Sequence, residues 1–104
     1  MAEIRWSLKA ETDLQAIEEF IAKDSALPAV ALVNRLVKAV ESLAVAPKLG
    51  RVVPELAQER VREIVCRGYR LVYLVEQEDV TVLRVVHGAR DFGSLARREP
   101  WDFS

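Results

Sequence analysis

The sequence is poor in the residues that build the commonest catalytic and stabilising sites. It contains one cysteine, Cys66, and one histidine, His87, among 104 residues. A lone cysteine excludes an internal disulfide and is no basis for a metal cluster. Cys66 lies in the segment 61–67, VREIVCR, where we expect it to be a small buried hydrophobe. Glycine-rich phosphate loops, nucleophile elbows and paired-histidine helices are also missing. The sequence therefore predicts neither a metal nor a cofactor.

Long apolar runs are missing as well. No uncharged run approaches the ~20 residues that a membrane-spanning helix needs. Residues 1–6 lack the apolar core of a signal peptide, so we expect a cytoplasmic protein. The composition, 51% hydrophobic and 30% charged, is that of a folded domain. The length predicts a single domain over residues 1–104, with a loosely ordered tail from about residue 92.

The charge is nearly balanced, at −1, but arginine is unevenly distributed. Nine of the eleven arginines follow Gly50, and nine acidic residues lie in the same part of the chain. Arginine suits bidentate contacts with carboxylates and phosphates, so the second half of the chain could meet an anionic surface. Alternatively, these arginines pair with the neighbouring acids. The enrichment alone does not decide between recognition and pairing.

The chain is organised around a predicted β-hairpin. Residues 69–75 and 80–86 are rich in Val, Leu and Tyr, and a charged segment, 76–79, separates them. Both alternating sets of side chains are largely apolar, which indicates that both faces of the sheet are covered. One cover can come from helices of this chain. We expect the second to come from a partner.

The first half of the chain predicts an edge strand and two helices. Apolar and polar residues alternate over residues 4–8, as in a half-buried strand. Thr12 is the expected N-cap of the first helix. Ser25 can cap a second helix, which continues to Ala46 and is stopped by Pro47. The short link between them predicts an antiparallel helical hairpin.

The second half adds strands. Residues 47–60 have the composition of a loop, because Pro54 interrupts any regular strand there. Residues 61–67 predict an extended piece before the hairpin, and a short helix around residues 94–98 is an option. The order β-αα-βββ predicts an α+β domain, with the helical hairpin on one face of a mainly antiparallel sheet. The other face is expected to be open, apolar and fringed with arginine.

His87 is the one candidate for acid–base chemistry near neutral pH. If Gln77 and Glu78 form the hairpin tip, His87 shares a face with Arg70 as a diagonal neighbour at roughly 7–8 Å, with Arg90 nearby. A loop that is one residue longer would reverse this parity. The functional interpretation is a general acid or base flanked by phosphate-holding arginines. The alternative is a strand-end histidine bound to backbone, which is favoured because no second acid–base group accompanies it.

Several short motifs, in order along nearly the whole chain, carry a resemblance to a known family. They are Trp6, Thr12-Asp13-Leu14, Pro47-x-x-Gly50-Arg51, Val61-Arg62-Glu63-Ile64, Gly68-Tyr69-Arg70-Leu71-Val72-Tyr73 and His87-Gly88-Ala89-Arg90-Asp91. On these residues the sequence resembles the RelE/ParE superfamily of toxins from bacterial type II toxin–antitoxin systems. The resemblance implies one of two activities. RelE-like members cut messenger RNA in the ribosome, whereas ParE-like members share the fold and inhibit DNA gyrase.

The residues at the RelE catalytic positions favour the ParE-like alternative. The matched arginines are Arg70 and Arg90, but the two lysine positions hold Val61 and Glu63, and the late tyrosine position holds Ala96. An anion at Glu63 would repel phosphoryl charge. The resemblance thus implies a gyrase-binding toxin of the plasmid-stabilisation type, without a catalytic site. The alternative is a ribosome-dependent mRNA endonuclease using Arg70, His87 and Arg90. A degenerate member that has lost toxicity is a third possibility.

The resemblance also implies partners. ParE toxins are silenced by a ParD-like antitoxin, whose C-terminal segment folds onto the toxin in a hetero-oligomer. We expect its acidic residues to meet four arginines, namely Arg51, Arg62, Arg70 and Arg90. For contact with gyrase the candidates lie at the end of the chain and are Arg90, Arg97, Arg98 and Trp101. Direct binding of nucleic acid or membrane is not expected.

Overall fold

A computed structural model describes residues 1–88. Its strands are β1 (Ile4–Trp6), β2 (Arg51–Val52), β3 (Val61–Cys66), β4 (Tyr69–Glu76) and β5 (Asp79–His87). Two helices, α1 (Leu8–Ala22) and α2 (Ala26–Glu41), follow β1, and a 3₁₀ turn (Ser42–Ala44) extends α2. The five strands form one sheet in the order β1-β5-β4-β3-β2, in which only β1 and β5 are parallel. The predicted α+β fold is confirmed, with β2 as an additional strand. Neither described helix is long and apolar enough to cross a membrane.

The opening strand lies at the sheet edge, as predicted, but the first helix begins earlier than expected. Ser7, directly after β1, is the N-cap, and its side chain accepts a hydrogen bond from Ala10 N at 3.0 Å. Thr12, the predicted cap, lies inside α1 and donates to the carbonyl of Leu8. The strand-to-helix turn therefore spans one residue, and Leu8 is a largely exposed helical residue instead of a strand residue.

The helical hairpin covers one face of the sheet. Ser25 is the N-cap of α2 by backbone conformation, although its side chain makes no capping hydrogen bond. Helical geometry ends at Glu41 and tightens into the 3₁₀ turn, so the predicted end at Ala46 was too late. The core on this face is built from Ala10, Leu36, Val40, Leu71, Val82 and Val85.

The opposite face is covered by the chain itself, which corrects the expectation of a bare apolar face. Its buried cluster consists of Val53, Val61, Val72, Leu74 and Val86, with Leu56 and Leu83 packed against it. Val53 and Leu56 come from the segment after β2. Pro54 ends β2 after two residues, so the chain leaves the sheet edge there and turns onto the sheet face. We call residues 53–60 the covering segment.

The central hairpin has the predicted tip but not the predicted register. Gln77 and Glu78 have φ values of 52° and 70°, as in a two-residue type I′ turn. Tyr73 pairs with Val82, but Val72 pairs with Arg84, so Leu83 is an extra residue in β5. This β-bulge reverses the parity of the rest of the strand.

The bulge places His87 on the face opposite to the one expected. His87 pairs with Tyr69, and the two rings meet edge to face at 5.2 Å between centroids. Arg70 pairs with Val86 and lies on the other face, so the predicted grouping of Arg70 and His87 is wrong. Arg90 and the tail residues Arg97, Arg98 and Trp101 lie outside the described residues, as do the expected helix at 94–98 and the tail from residue 92.

Substitution of Gly50 tests the close packing of the turn before β2 against strands β3 and β4. Its amide donates to the Tyr73 hydroxyl oxygen at 2.9 Å, and a Cβ at this position would collide with the carbonyl of Glu63 and lie 2.6 Å from that hydroxyl. We predict that Gly50→Ala lowers the free energy of unfolding by about 1–3 kcal/mol, measured by urea denaturation. Gly68→Asn is the control, because the space around Gly68 is open and asparagine tolerates its φ of +82°. Equal losses in the two variants would contradict the packing argument.

Candidate functional site

A buried carboxylate lies at the centre of the sheet face that the covering segment packs on, which we call the covered face. The Glu63 side chain on β3 is 0% exposed, and each of its oxygens accepts from a guanidinium. Arg70 Nε lies 2.5 Å from Oε1, and Arg51 Nε lies 2.6 Å from Oε2. An ionised carboxylate away from water is tolerated only with such compensation. The flanking strands β2 and β4 supply one arginine each.

Arg70 is bound by a second carboxylate from the covering segment. Its Nη1 and Nη2 donate to the two oxygens of Glu55 at 2.9 and 2.8 Å, a bidentate pair. The hydrogen bond with Arg70 holds the pKa of Glu55 below its ordinary value, and that of Arg70 is raised chiefly by the same bond. The Arg70 side chain is only 11% exposed. Arg51, Glu55, Glu63 and Arg70 form what we call the ion network.

The strand register explains why these residues meet. Glu63 pairs with Arg51 on one side and with Val72 on the other. Arg70, two residues before Val72, is therefore a diagonal neighbour of Glu63 on the same face. Glu55 reaches Arg70 because Pro54 turns the chain back over the sheet.

Arg62 lies on the other face and does not join the ion network. Its Nη1 donates to the carbonyl of Gly50 at 3.0 Å, and its buried Nε has no hydrogen-bond partner within residues 1–88. The adjacent Tyr73 hydroxyl is buried, which raises its pKa. Arg62 thus helps to bind the turn before β2.

The structure brings together only part of the predicted site. Arg51 and Arg70 lie in one network, Arg62 faces the helical side, and His87 meets the Tyr69 ring edge to face. The prediction missed Glu55 and Glu63 as their partners. The signal available was the nine acidic residues in the same half of the chain, which left pairing open as an alternative to recognition but did not specify the pairs.

A second missed ion pair joins α1 to β5. The carboxylate of Asp13 accepts from Arg84 Nε at 2.8 Å, from Arg84 Nη2 at 3.0 Å and from the backbone amide of Val85 at 2.8 Å. In the sequence, Asp13 stood out only as part of the motif Thr12-Asp13-Leu14, which does not identify its partner.

The ion network has little capacity for phosphate chemistry. The Arg70 guanidinium is 11% exposed and is bound by two carboxylates, so a phosphate could reach it only after a carboxylate had been displaced. Metal binding has no support either, because residues 1–88 contain no group of three His, Cys, Asp or Glu side chains suited to a metal ion.

Comparisons with known proteins support membership of the RelE/ParE superfamily of toxins. Residues 4–92 match the family of the ParE toxin of the parDE type II toxin–antitoxin system. The chain is 37% identical over 91 residues to Toxin RelE2 of Caulobacter vibrioides, which covers 86% of this chain and 99% of the relative.

Two solved structures share the fold. A chain of the chromosomal ParDE toxin–antitoxin system of P. aeruginosa matches with a TM-score of 0.70 at 22% identity, over 84% of this chain and 96% of that one. A mutant of E. coli RelE, solved with an antitoxin RelB peptide, matches with a TM-score of 0.61 at 17% identity, over 97% and 98% of the two chains. At these identities the likeness concerns the fold alone.

Removal of the buried anion tests the ion network. We predict that Glu63→Gln lowers the free energy of unfolding at pH 7 by about 3–5 kcal/mol, because Arg51 and Arg70 then face an uncharged group. Glu55→Gln is the matched control and should cost about 1 kcal/mol or less, since Glu55 is partly solvated. Urea denaturation followed by circular dichroism measures both. Similar losses would show that Glu63 is not the centre of the network.

The Glu55–Arg70 pair also predicts a dependence on pH. Because the folded-state pKa of Glu55 lies below its ordinary value of 4.5, its contribution is complete above that pH and is lost as the pH falls through the lower folded value. The stability difference between wild type and Glu55→Gln should therefore stay constant from neutral pH to about pH 5 and shrink below about pH 4.5. Glu59→Gln, at an exposed position, is the control. A difference that grows on acidification would contradict the pairing.

Proposed function

The chain belongs to the ParE toxin family of type II toxin–antitoxin systems, and from this premise we propose that it poisons DNA gyrase by binding it. A ParD-like antitoxin would silence it, and both contacts would form in the cytoplasm. The proposal makes the domain a binding inhibitor of the plasmid-stabilisation type, with no chemical step and no cofactor of its own.

The buried position of Glu63 is the observation that carries this proposal. The resemblance to RelE implies lysines at positions 61 and 63, where this chain has Val61 and Glu63. Val61 is buried in the apolar cluster, and Glu63 is a buried anion next to the matched arginine, Arg70. A negative charge there opposes the charge that develops on a phosphate in the transition state of cleavage. These facts support binding over cleavage.

The antitoxin is proposed from the family and from its relatives in complexes. Among the described arginine candidates, Arg51 is the most accessible, with a side chain that is 64% exposed. Contact with Arg70 would require Glu55 to move, and Arg62 already donates a hydrogen bond to the carbonyl of Gly50. We therefore propose that acidic residues of the antitoxin meet Arg51 first. Arg90, the fourth candidate, stays a prediction.

A RelE-like endonuclease is the second candidate function, and the relative named Toxin RelE2 favours it. This activity would need Arg70 at the phosphate, with His87 and Arg90 as helpers. In the described fold Arg70 and His87 lie on opposite faces, so these two cannot act on the same phosphate without a rearrangement.

Expression of the chain without an antitoxin, followed by two assays, tests the proposal. We predict that the purified protein blocks supercoiling by DNA gyrase and leaves translated transcripts intact. Truncation after Ser94 should abolish the gyrase effect, because it removes the target-binding candidates Arg97, Arg98 and Trp101. Lys38→Ala, on the exposed side of α2, is the control and should retain full inhibition.

Two other results would contradict the proposal. Cleaved transcripts, with the cleavage lost in Arg70→Ala, would support the endonuclease. Normal growth under full induction, with neither effect, would indicate a toxin that has lost its activity.

A further inference from the structure

The bulge in β5 is held by Ser7, the N-cap of α1, and by the side chain of Asp13 within α1. Ser7 Oγ donates to the carbonyl of Leu83, the extra residue, at 3.0 Å, and Ser7 N donates to the carbonyl of Val82 at 2.9 Å. Six residues further along the chain, within α1, Asp13 accepts from the amide of Val85 and from Arg84. Both sides of the bulge are thus bound to the same helix.

These contacts lie where the sheet edge would otherwise be unpaired. Strand β1 pairs with β5 only at Val80, Thr81 and Val82. Beyond that point the chain turns into α1, and the Asp13 carboxylate takes the place of a neighbouring strand for the Val85 amide. A carboxylate acceptor is stronger than a peptide carbonyl, and here it also neutralises Arg84.

The regular alternative to the bulge is unfavourable for one residue in particular. Without the extra residue in the ladder, Arg84 would pair with Leu71, which is fully buried against the helices. Directly opposite residues share a face, so the guanidinium would enter the apolar core. In the same register Val85 would pair with Arg70, and His87 would join the face of Arg70.

We propose that Asp13, assisted by Ser7, is a positioning residue that selects the bulged register of β5. The selected register places His87 against Tyr69 and fixes the orientation of Gly88. Gly88 is anchored there by its amide, which donates to the carbonyl of Gly68 at 2.7 Å. Asp13 therefore determines on which face of the sheet the chain leaves β5 at residue 88.

A deletion separates register selection from general stabilisation. Removal of Leu83 takes out the extra residue, yet leaves Arg84 opposite Val72 and His87 opposite Tyr69. If Asp13 acts by selecting the register, it becomes dispensable for the Tyr69–His87 contact once Leu83 is gone. If it merely stabilises the fold, the deletion does not compensate for its loss.

The test uses the full chain in four forms: wild type, Asp13→Ala, Asp13→Asn, and Asp13→Ala combined with deletion of Leu83. NMR measures the Tyr69–His87 ring contact and the hydrogen exchange of the Val85 amide. In Asp13→Ala we predict loss of the ring contact and amide exchange that is about 10–100-fold faster. Asp13→Asn keeps an oxygen for the Val85 amide and should keep the contact, and the combined variant should regain it.

The outcomes of this test either support or overturn the selection of the register by Asp13. An unchanged ring contact in Asp13→Ala would overturn it, and so would a combined variant that lacks the contact. Should Asp13→Ala not fold, a folded combined variant with the contact supports register selection, and an unfolded one overturns it.

A functional measurement can accompany the test, and it rests on the proposed function. Gyrase inhibition should be lost in Asp13→Ala and return in the combined variant. If the wild type itself does not inhibit gyrase, the proposed function fails, while the NMR results still decide the role of Asp13.

Discussion

The binding of the buried Glu63 carboxylate is the interaction on which the covered face depends. A charge away from water requires compensation, and here two strands supply it through Arg51 and Arg70. Arg70 in turn binds Glu55, which fixes the covering segment over the apolar cluster. One polar residue in β3 thereby couples the two-residue edge strand, the central hairpin and the segment between them.

Local patterns were sufficient to predict the helices, the main strands and their order. Apolar spacing identified the helical hairpin, and the charged segment between two apolar runs located the hairpin tip at Gln77 and Glu78. Strand β2 was missed because two residues carry too little periodicity. The bulge was missed because its cause is non-local: Ser7 and Asp13 bind β5 from more than 70 positions earlier in the chain.

The candidate site was predictable only in part, for a related reason. Arginine enrichment after Gly50 was visible, but pairing depends on register, and a single extra residue moved His87 away from Arg70. The covered face shows the same limit. Apolar residues of both parities correctly indicated two covered faces, yet composition could not tell that Val53 and Leu56 would supply the second cover in place of a partner. The described fold thus leaves Arg70 engaged by this chain's own carboxylates, which underlies the proposal of a binding toxin.

The state of Arg70 in the presence of RNA tests this account most directly. The Nε–H signal of Arg70 can be followed by NMR while a short RNA is added to the full chain. We predict a slowly exchanging signal that RNA leaves unchanged, because Glu63 and Glu55 keep the guanidinium engaged. A signal that shifts on RNA addition and loses its protection from exchange would contradict the account, since it would show that Arg70 is available to a phosphate.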